Sequence, residues 1–451
     1  MPISDVLRAR ERRIAGEIYT SDSVYRHLLA LCDDCGHRFI GSTGEAQAVA
    51  YLLDRLTAYG LYNVHTEEVP LTGWQRGRAI LQAVGRDGWE GACIALPYSP
   101  ASSVTADLLD LGPAVPEMIA ARAGEIQGKI VLVSSANPPA YPRSVHRLEK
   151  YARVVQAGAV GFLFVGDEPG QLPQTGGLPV GAAIPGVGVS KEVGAALARA
   201  LQAGPLQVRL VVESDSRPLV AHNVVGELPG VRSGPWLLVG AHLDSHDISP
   251  GANDNASGVA AVLEAARSLA LDGPTPLPIR FIFFTGEEMG LLGAYRYTAD
   301  HEADLANVRF MLNLDVVGGP GRLGMALQAW PELLPRLQRY AQDLNPEGLL
   351  LDRLVPYSDH FPFFLKGVPA AMAASWGGGG GRGWGHTSAD TVDKVSIGSL
   401  QAAAVFAARL LLRLGADEDA WPTRRTSEEV KALLLKEGLE EVMRLEGRWP
   451  F

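Results

Sequence analysis

Two hydrophobic periodicities take turns along this chain. Apolar residues recur every three to four positions from Val24 to Cys32 and again from Glu45 to Tyr59, the spacing of helices with one buried face. Ser42 or Thr43 stands where a cap for the second helix belongs, and Gly60 where that helix should end. Asn63 to Val69 then alternates like a strand. From Arg76 to Pro218 the texture changes. Short β-branched runs such as Lys129–Val133 and Val160–Val165, with brief helical stretches at Leu148–Gln156 and Val193–Ala203, lie between Gly/Pro-rich turns. After Asn223, strand-like apolar runs at Trp236–Ala241, Ile279–Phe284, Arg309–Leu314 and Pro369–Ala374 alternate with helical patterns at Ser257–Leu271, Pro331–Leu344 and Ile397–Leu414.

Buried strands separated by helices predict an α/β domain with a mostly parallel central sheet flanked by helices. The middle texture predicts a smaller β-rich domain inserted into it. The expected boundaries are 1–75 and 219–415 for the host, 76–218 for the insert and 416–451 for a helical tail. In that tail the amphipathic stretch Ser427–Leu445 should pack on a surface or on a second copy, so a homo-oligomer is among the expected partners. At 451 residues the chain is long enough for two or three such units.

Composition narrows the partners. A net charge of −10 without basic clusters argues against nucleic acid and against anionic membranes. No apolar run approaches the roughly 18 uncharged residues of a membrane span. The start, Met1 to Arg10, has charges and no apolar core, so it does not read as a secretory signal. A cytoplasmic location is the expectation, and a secreted or periplasmic one if the chain has been processed. Cys32, Cys35 and Cys93 are an odd number, which fits a reducing compartment, and the Cys32–Cys35 spacing near a helix end reads as packing rather than as a redox pair.

Candidate chemistry sits at the ends of the predicted strands. His242 and Asp244, Asp254, the pair Glu287–Glu288, Asp315 and His386 each follow an apolar run or lie in the loop after it. In parallel sheets that is the edge where ligands bind. Two imidazoles and three carboxylates are what two zinc ions need when one carboxylate is shared. Three ligating carboxylates and a bridging hydroxide also balance the charge of two divalent ions. His242 and Asp244, two apart on a strand end, suit a ligand and the carboxylate that steadies it. Asp254 lies among small residues that permit the close approach a bridging carboxylate needs. Neighbouring Glu287 and Glu288 cannot aim at one point, so one should bind a cation and the other face the substrate. His246, just beyond, reads either as a spare ligand or, the favoured reading, as a surface residue.

At these residues the chain resembles the two-zinc exopeptidases that include bacterial leucyl aminopeptidases, aminopeptidase Y and plasma carboxypeptidase Q. The matching blocks are Gly240–Ser245, Gly251–Gly258, Phe284–Glu288, Asn313–Asp315, Ser358–Phe363 and His386–Thr391. Gly128–Val133 and Ala157–Gly161 resemble the protease-associated domain inserted in several members. The resemblance implies a zinc-peptidase fold of the phosphorylase/hydrolase-like kind and a di-zinc site, with Co2+ or Mn2+ as substitutes. It gives one zinc to His242 and Asp315 and the other to Glu288 and His386, with Asp254 bridging, Asp244 orienting His242 and Glu287 as general base. The implied reaction is hydrolysis of N-terminal residues from peptides. The alternatives are a carboxypeptidase Q-like dipeptidase, a non-catalytic binding homologue, and a glutaminyl-cyclase-like transferase, against which the full two-metal set argues. Tyr357, Trp376 and Trp384, with Phe361 and Phe363 as further aromatics, are candidates for a substrate pocket. The run Gly377–Gly383 reads as a flap over the cleft, and Arg382 within it as a partner for a substrate carboxylate.

Overall fold

Apolar runs that lack alternating polar positions can settle only where both faces of a sheet are covered, and that is what they do here. The computed structural model describes residues 4–85, 88–345, 348–377 and 383–451. They form two compact units. The first comprises Met1–Leu71, Val220–Gly380 and Asp390–Glu437, and the second Thr72–Leu219, Gly381–Ala389 and Gly438–Phe451.

The sheet of the first unit is built from β1 (Gln207–Leu228, of which the part after Leu219 belongs here), β2 (Trp236–His242), β3 (Ile279–Phe284), β4 (Val308–Leu314), β5 (Gly321–Leu327), β6 (Leu350–Asp352) and β7 (Ala370–Gly377). Their spatial order is β6-β5-β7-β4-β2-β3-β1. The four strands β7, β4, β2 and β3 are mutually parallel, whereas β1 joins β3, and β5 joins β7, in antiparallel fashion. Register places Phe284 beside His242, Asn313 beside Gly240 and Leu314 beside Ala373. The carboxyl ends of the central strands therefore finish along one edge.

Alternation decides the two cores. Leu237, Val239, Phe281, Phe283, Phe310 and Leu312 point to one face, where they meet Val262, Ala266, Phe406 and Leu410. Leu238, Ile282, Phe284 and Met311 point to the other, against Tyr297 and Phe363. The first face is covered by α4 (Ser257–Asp272) and α6 (Ile397–Ala416), which pack on each other and on α1 (Asp5–Thr20). By length and composition α6 could cross a membrane, yet 67% of its apolar window is buried inside the protein, as in a core helix. Helices α2 (Ser23–Leu29) and α3 (Thr43–Ala58), the latter capped by Ser42, complete this side.

Three features differ from the sequence expectation. Helix α1 was not legible because its apolar residues Leu7, Ile14 and Ile18 are widely spaced among charges. Strand β5 is broken by glycines and pairs antiparallel, so no clean run marks it. The tail is not one helix: Ser427–Lys436 and Glu440–Leu445 are separated at Gly438, whose φ of +68° a helix cannot continue through.

In the second unit, the strands 102–112, 130–134, 161–165 and 186–189 pair in parallel in that order. Helices Arg147–Gln156 and Lys191–Gln202 lie between or after them, so the β-rich unit carries helices among its strands.

Candidate metal centre

The site is assembled where β2, β3 and β4 run out. His242, the last residue of β2, is fully buried. Its Nδ1 hydrogen-bonds the Asp244 carbonyl at 3.1 Å, which fixes the ring and presents Nε2 to the cleft. That Nε2 lies 3.2 Å from Asp254 Oδ1 and 3.5 Å from Asp315 Oδ1 and makes no hydrogen bond. Two carboxylate oxygens crowd one buried imidazole nitrogen. Ligand atoms at Zn–N and Zn–O distances of about 2.0–2.1 Å in tetrahedral array stand roughly 3.3 Å apart, so this spacing suits three donors to one cation. Donor type, burial and separation all fit zinc.

Each carboxylate is held from behind. Ser358 Oγ donates to Asp315 Oδ2 at 2.6 Å and accepts from Asn313 Nδ2 at 2.7 Å, leaving Asp315 Oδ1 to face His242. Asp254 lies in the loop before α4. Its backbone N–H donates to Asp390 Oδ2 at 3.0 Å, and that of Asn253 to Asp390 Oδ1 at 2.8 Å. Burial pushes the Asp390 carboxyl up to about 6, against the pull of the Asn253 N–H. Asn255 ties the same loop to β4, donating from Nδ2 to the Leu314 carbonyl at 2.9 Å. Gly258 is required at the start of α4, because a Cβ there would come 2.4 Å from the Leu314 carbonyl. Gly251, at φ +57°, turns the chain into this loop.

Asp244 has a second task beside the one its spacing suggests. Its carboxylate accepts the backbone N–H of Glu287 at 3.1 Å and of Glu288 at 3.2 Å. Its nearest oxygen is 3.6 Å from His242 Nδ1, too long for a hydrogen bond. Asp244 thus sets the turn that carries both glutamates, and orients His242 through its own carbonyl. From the opposite side of that turn, Thr285 Oγ1 donates to Glu45 Oε1 at 2.6 Å. Glu45, pushed up to about 7 by burial, reaches in from α3.

The glutamates part company as adjacent side chains must. Glu288 is buried, its Oε2 3.0 Å from His246 Nε2. Glu287 is half-buried. Burial raises its carboxyl well above the usual carboxylate range; His242 opposes this, and Glu288, Asp315 and Asp359 add to it.

Two residues were missed or misjudged. His246 is 2% exposed and belongs to this centre, not to the surface. A histidine two residues beyond Asp244 was the available signal. Arg38, fully buried, was not singled out at all. Its guanidinium donates to the carbonyls of Leu243 at 2.7 Å, Leu31 at 3.1 Å, Pro250 at 2.5 Å and Gly251 at 3.3 Å, and its N–H to Ser245 Oγ at 2.9 Å. It clamps both ends of the segment 243–251, which leads from His242 to Asp254. Nothing local in the sequence marks it.

His386 lies in Gly381–Ala389, part of the second unit, where it is buried and its Nδ1 faces the Thr175 carbonyl at 3.3 Å. A neutral ring donating from Nδ1 carries its lone pair on Nε2. Trp384 belongs to the same segment and is 37% exposed. Arg382 and most of the expected flap, Gly378–Arg382, lie outside the described residues. Tyr357 and Trp376 are half-buried in the first unit, with the Arg353 guanidinium 4.8 Å over the Trp376 ring. Phe361 and Phe363 are core residues: both are fully buried, and Phe363 stands 6.0 Å from Phe284. Cys32 is also packing, its thiol pushed up to about 12 by burial.

Comparison with known proteins agrees with this architecture. The profile of peptidase family M28 matches residues 223–411, and that of the PA domain residues 92–197. "Leucine aminopeptidase 2" of Trichophyton equinum is 32% identical over 63% of this chain and 55% of its own length, so the match spans little more than half of that relative. "Probable leucine aminopeptidase 2" of Aspergillus fumigatus is 30% identical over 74% of this chain and 67% of its own. Among solved structures, a peptidase M28 precursor from Shewanella amazonensis superposes with a TM-score of 0.80, at 23% identity over 94% of this chain and 99% of that one. BSAP, a zinc aminopeptidase from Bacillus subtilis, gives 0.66 at 26% identity, over 86% and 94%. With the fold, the inserted domain and the relatives in agreement, the chain belongs to peptidase family M28.

Proposed function

We propose that this chain is a zinc-dependent exopeptidase that removes the N-terminal residue from peptides, with leucine-like side chains preferred at the first position. The observation that carries the reading is the convergence of His242, Asp254 and Asp315, three buried donors within 4.8 Å of one another at the carboxyl edge of a parallel sheet. The names of the M28 relatives, leucine aminopeptidases among them, support the substrate class.

The donor set supports two cations. His242 and Asp315 would hold one and Glu288 and His386 the other, with Asp254 serving both, as the family pattern implies. His246, beside Glu288, is a further donor or a brace for it. Zinc, when bound, supplies Lewis acidity that polarises a carbonyl and acidifies water. The rest falls to the chain's own groups. Glu287, the carboxylate not spoken for, takes a proton at its carboxylate oxygen from the attacking water and returns it to the departing amine nitrogen. Asp244 keeps Glu287 in place through the backbone N–H it accepts.

The test compares leucyl-anilide, its N-acetylated counterpart and free dipeptides, each before and after chelation and zinc return. Hydrolysis of the free-amine anilide that stops with chelator and resumes with zinc is expected. Equal cleavage of the N-blocked substrate, or turnover of dipeptides alone, would overturn the aminopeptidase reading.

A further inference from the structure

On the first unit, α1 and α6 gather charged residues. Arg8 and Arg12 on α1 and Arg409 and Arg413 on α6 line a cavity of about 210 Å3, together with Glu11 and Asp343. The last of these lies on α5 (Leu334–Leu344). Glu11 is 3% exposed and grips the back wall. Arg413 donates to it from Nε at 2.6 Å and from Nη2 at 2.9 Å, and Arg409 from Nη2 at 3.1 Å. Asp343 stands 3.2 Å from Arg413 Nη2.

The charges can be counted. Glu11 and Asp343 balance Arg409 and Arg413. Arg8 and Arg12 are left over, and among the described residues no ion pair joins either to a carboxylate. They are one helical turn apart on one face, an arrangement in which like charges repel. Fifty acidic residues against forty basic ones leave this chain ample means of neutralising them, yet among the described residues none forms an ion pair with either.

We propose that this cavity binds a phosphate-type dianion, as inorganic phosphate or as a small phosphomonoester. Guanidinium forks match phosphate oxygens, and a phosphate monoester carries about −1.5 to −2 charge near neutral pH, the amount two unbalanced arginines would offset. Arg409 and Arg413, locked by Glu11, form a fixed wall, while the exposed Arg8 and Arg12 close on the ligand from α1. Because the site joins α1 to the core helix α6, occupancy stabilises the folded chain by mass action.

Calorimetric titration of the metal-loaded protein at constant ionic strength tests this, with inorganic phosphate in one arm and glycerol phosphate in the other. A metal centre also attracts phosphate, so the quantity read is the difference between wild type and Arg8→Ala/Arg12→Ala. The expected result is a saturable event weakened about tenfold or more in the double variant. It should be unchanged in Arg26→Ala, which removes an exposed arginine paired elsewhere, with Asp22. The arm with the tighter isotherm identifies the free ion or the ester as the ligand. If the alanines lower the melting midpoint without phosphate, Arg8→Gln/Arg12→Gln repeats the test with the side-chain stems retained. Superimposable isotherms for wild type and double variant, or an equal loss in Arg26→Ala, would overturn the proposal.

Discussion

The two glutamates after β3 show how much a single position decides. They are neighbours, yet one is buried beside His246 and the other is half-buried with its carboxyl held above the usual range. If Glu287 moves the proton and Glu288 binds metal, their amides should fail differently. Glu287→Gln is expected to retain its zinc and lose about 10²- to 10⁴-fold in kcat. Glu288→Gln is expected to lose metal together with activity. Metal analysis alongside steady-state kinetics separates the two, and a Glu287→Gln protein that had shed its zinc would contradict the assignment. His246→Ala tests the residue that the sequence misplaced. Buried 3.0 Å from Glu288, it should lower the bound metal, whereas a surface histidine would leave it unchanged.

At the scale of elements, the strand ends carry the candidate ligands and the loops between them supply the aim. The Arg38 guanidinium holds the 243–251 segment through backbone carbonyls. Arg38→Ala would leave several buried carbonyls without a donor, at about 1–3 kcal/mol each, so a loss of roughly 3 kcal/mol or more is expected in urea unfolding. Asp390→Asn leaves one acceptor oxygen where two backbone N–H groups now converge. It should weaken zinc binding by about 10- to 100-fold in competition with a chelator while leaving the fold intact. These braces mark the limit of what the sequence discloses. His242, Asp254, Asp315 and the glutamate pair are legible because each follows an apolar run that can only be a buried strand, or lies in the loop after one, and parallel strands must end on one edge. Arg38 and Glu45 are not, since each acts on a segment some two hundred residues away and its neighbours give no hint of it; Asp390 falls in the His386–Thr391 block, but its hold on the 253–254 loop is visible only in the structure. The widely spaced apolar residues of α1 and the glycine-broken β5 were hidden for a simpler reason: neither carries a periodicity strong enough to see.

For the molecule as a whole, stability carries a pH signature away from the metal centre. His27 is buried between the hydroxyls of Tyr51 at 2.7 Å and Tyr59 at 2.9 Å. Burial, reinforced by Arg55 and Arg267, pushes it down to about 3. Above pH 6.5 it is neutral whether folded or not and contributes no slope. Below that, the unfolded chain takes up a proton that the folded one refuses, so stability falls by up to about 1.4 kcal/mol per pH unit until the folded value near 3 is approached. Glu45 and Asp390, both raised by burial, pull the other way over the same window, so urea midpoints from pH 7 to 4 are compared between variants: acid should lower stability more, or raise it less, in the wild type than in His27→Gln. Identical slopes would mean that His27 is not the group responsible. The central claim, paired zinc ions gripped by side chains spread over some 145 residues, is tested most directly by anomalous diffraction at the zinc edge from crystals of the protein. Two peaks about 3.5–4 Å apart are expected, one against His242 and Asp315 and the other against Glu288. A single peak, or zinc bound away from His242 and Asp254, would contradict it.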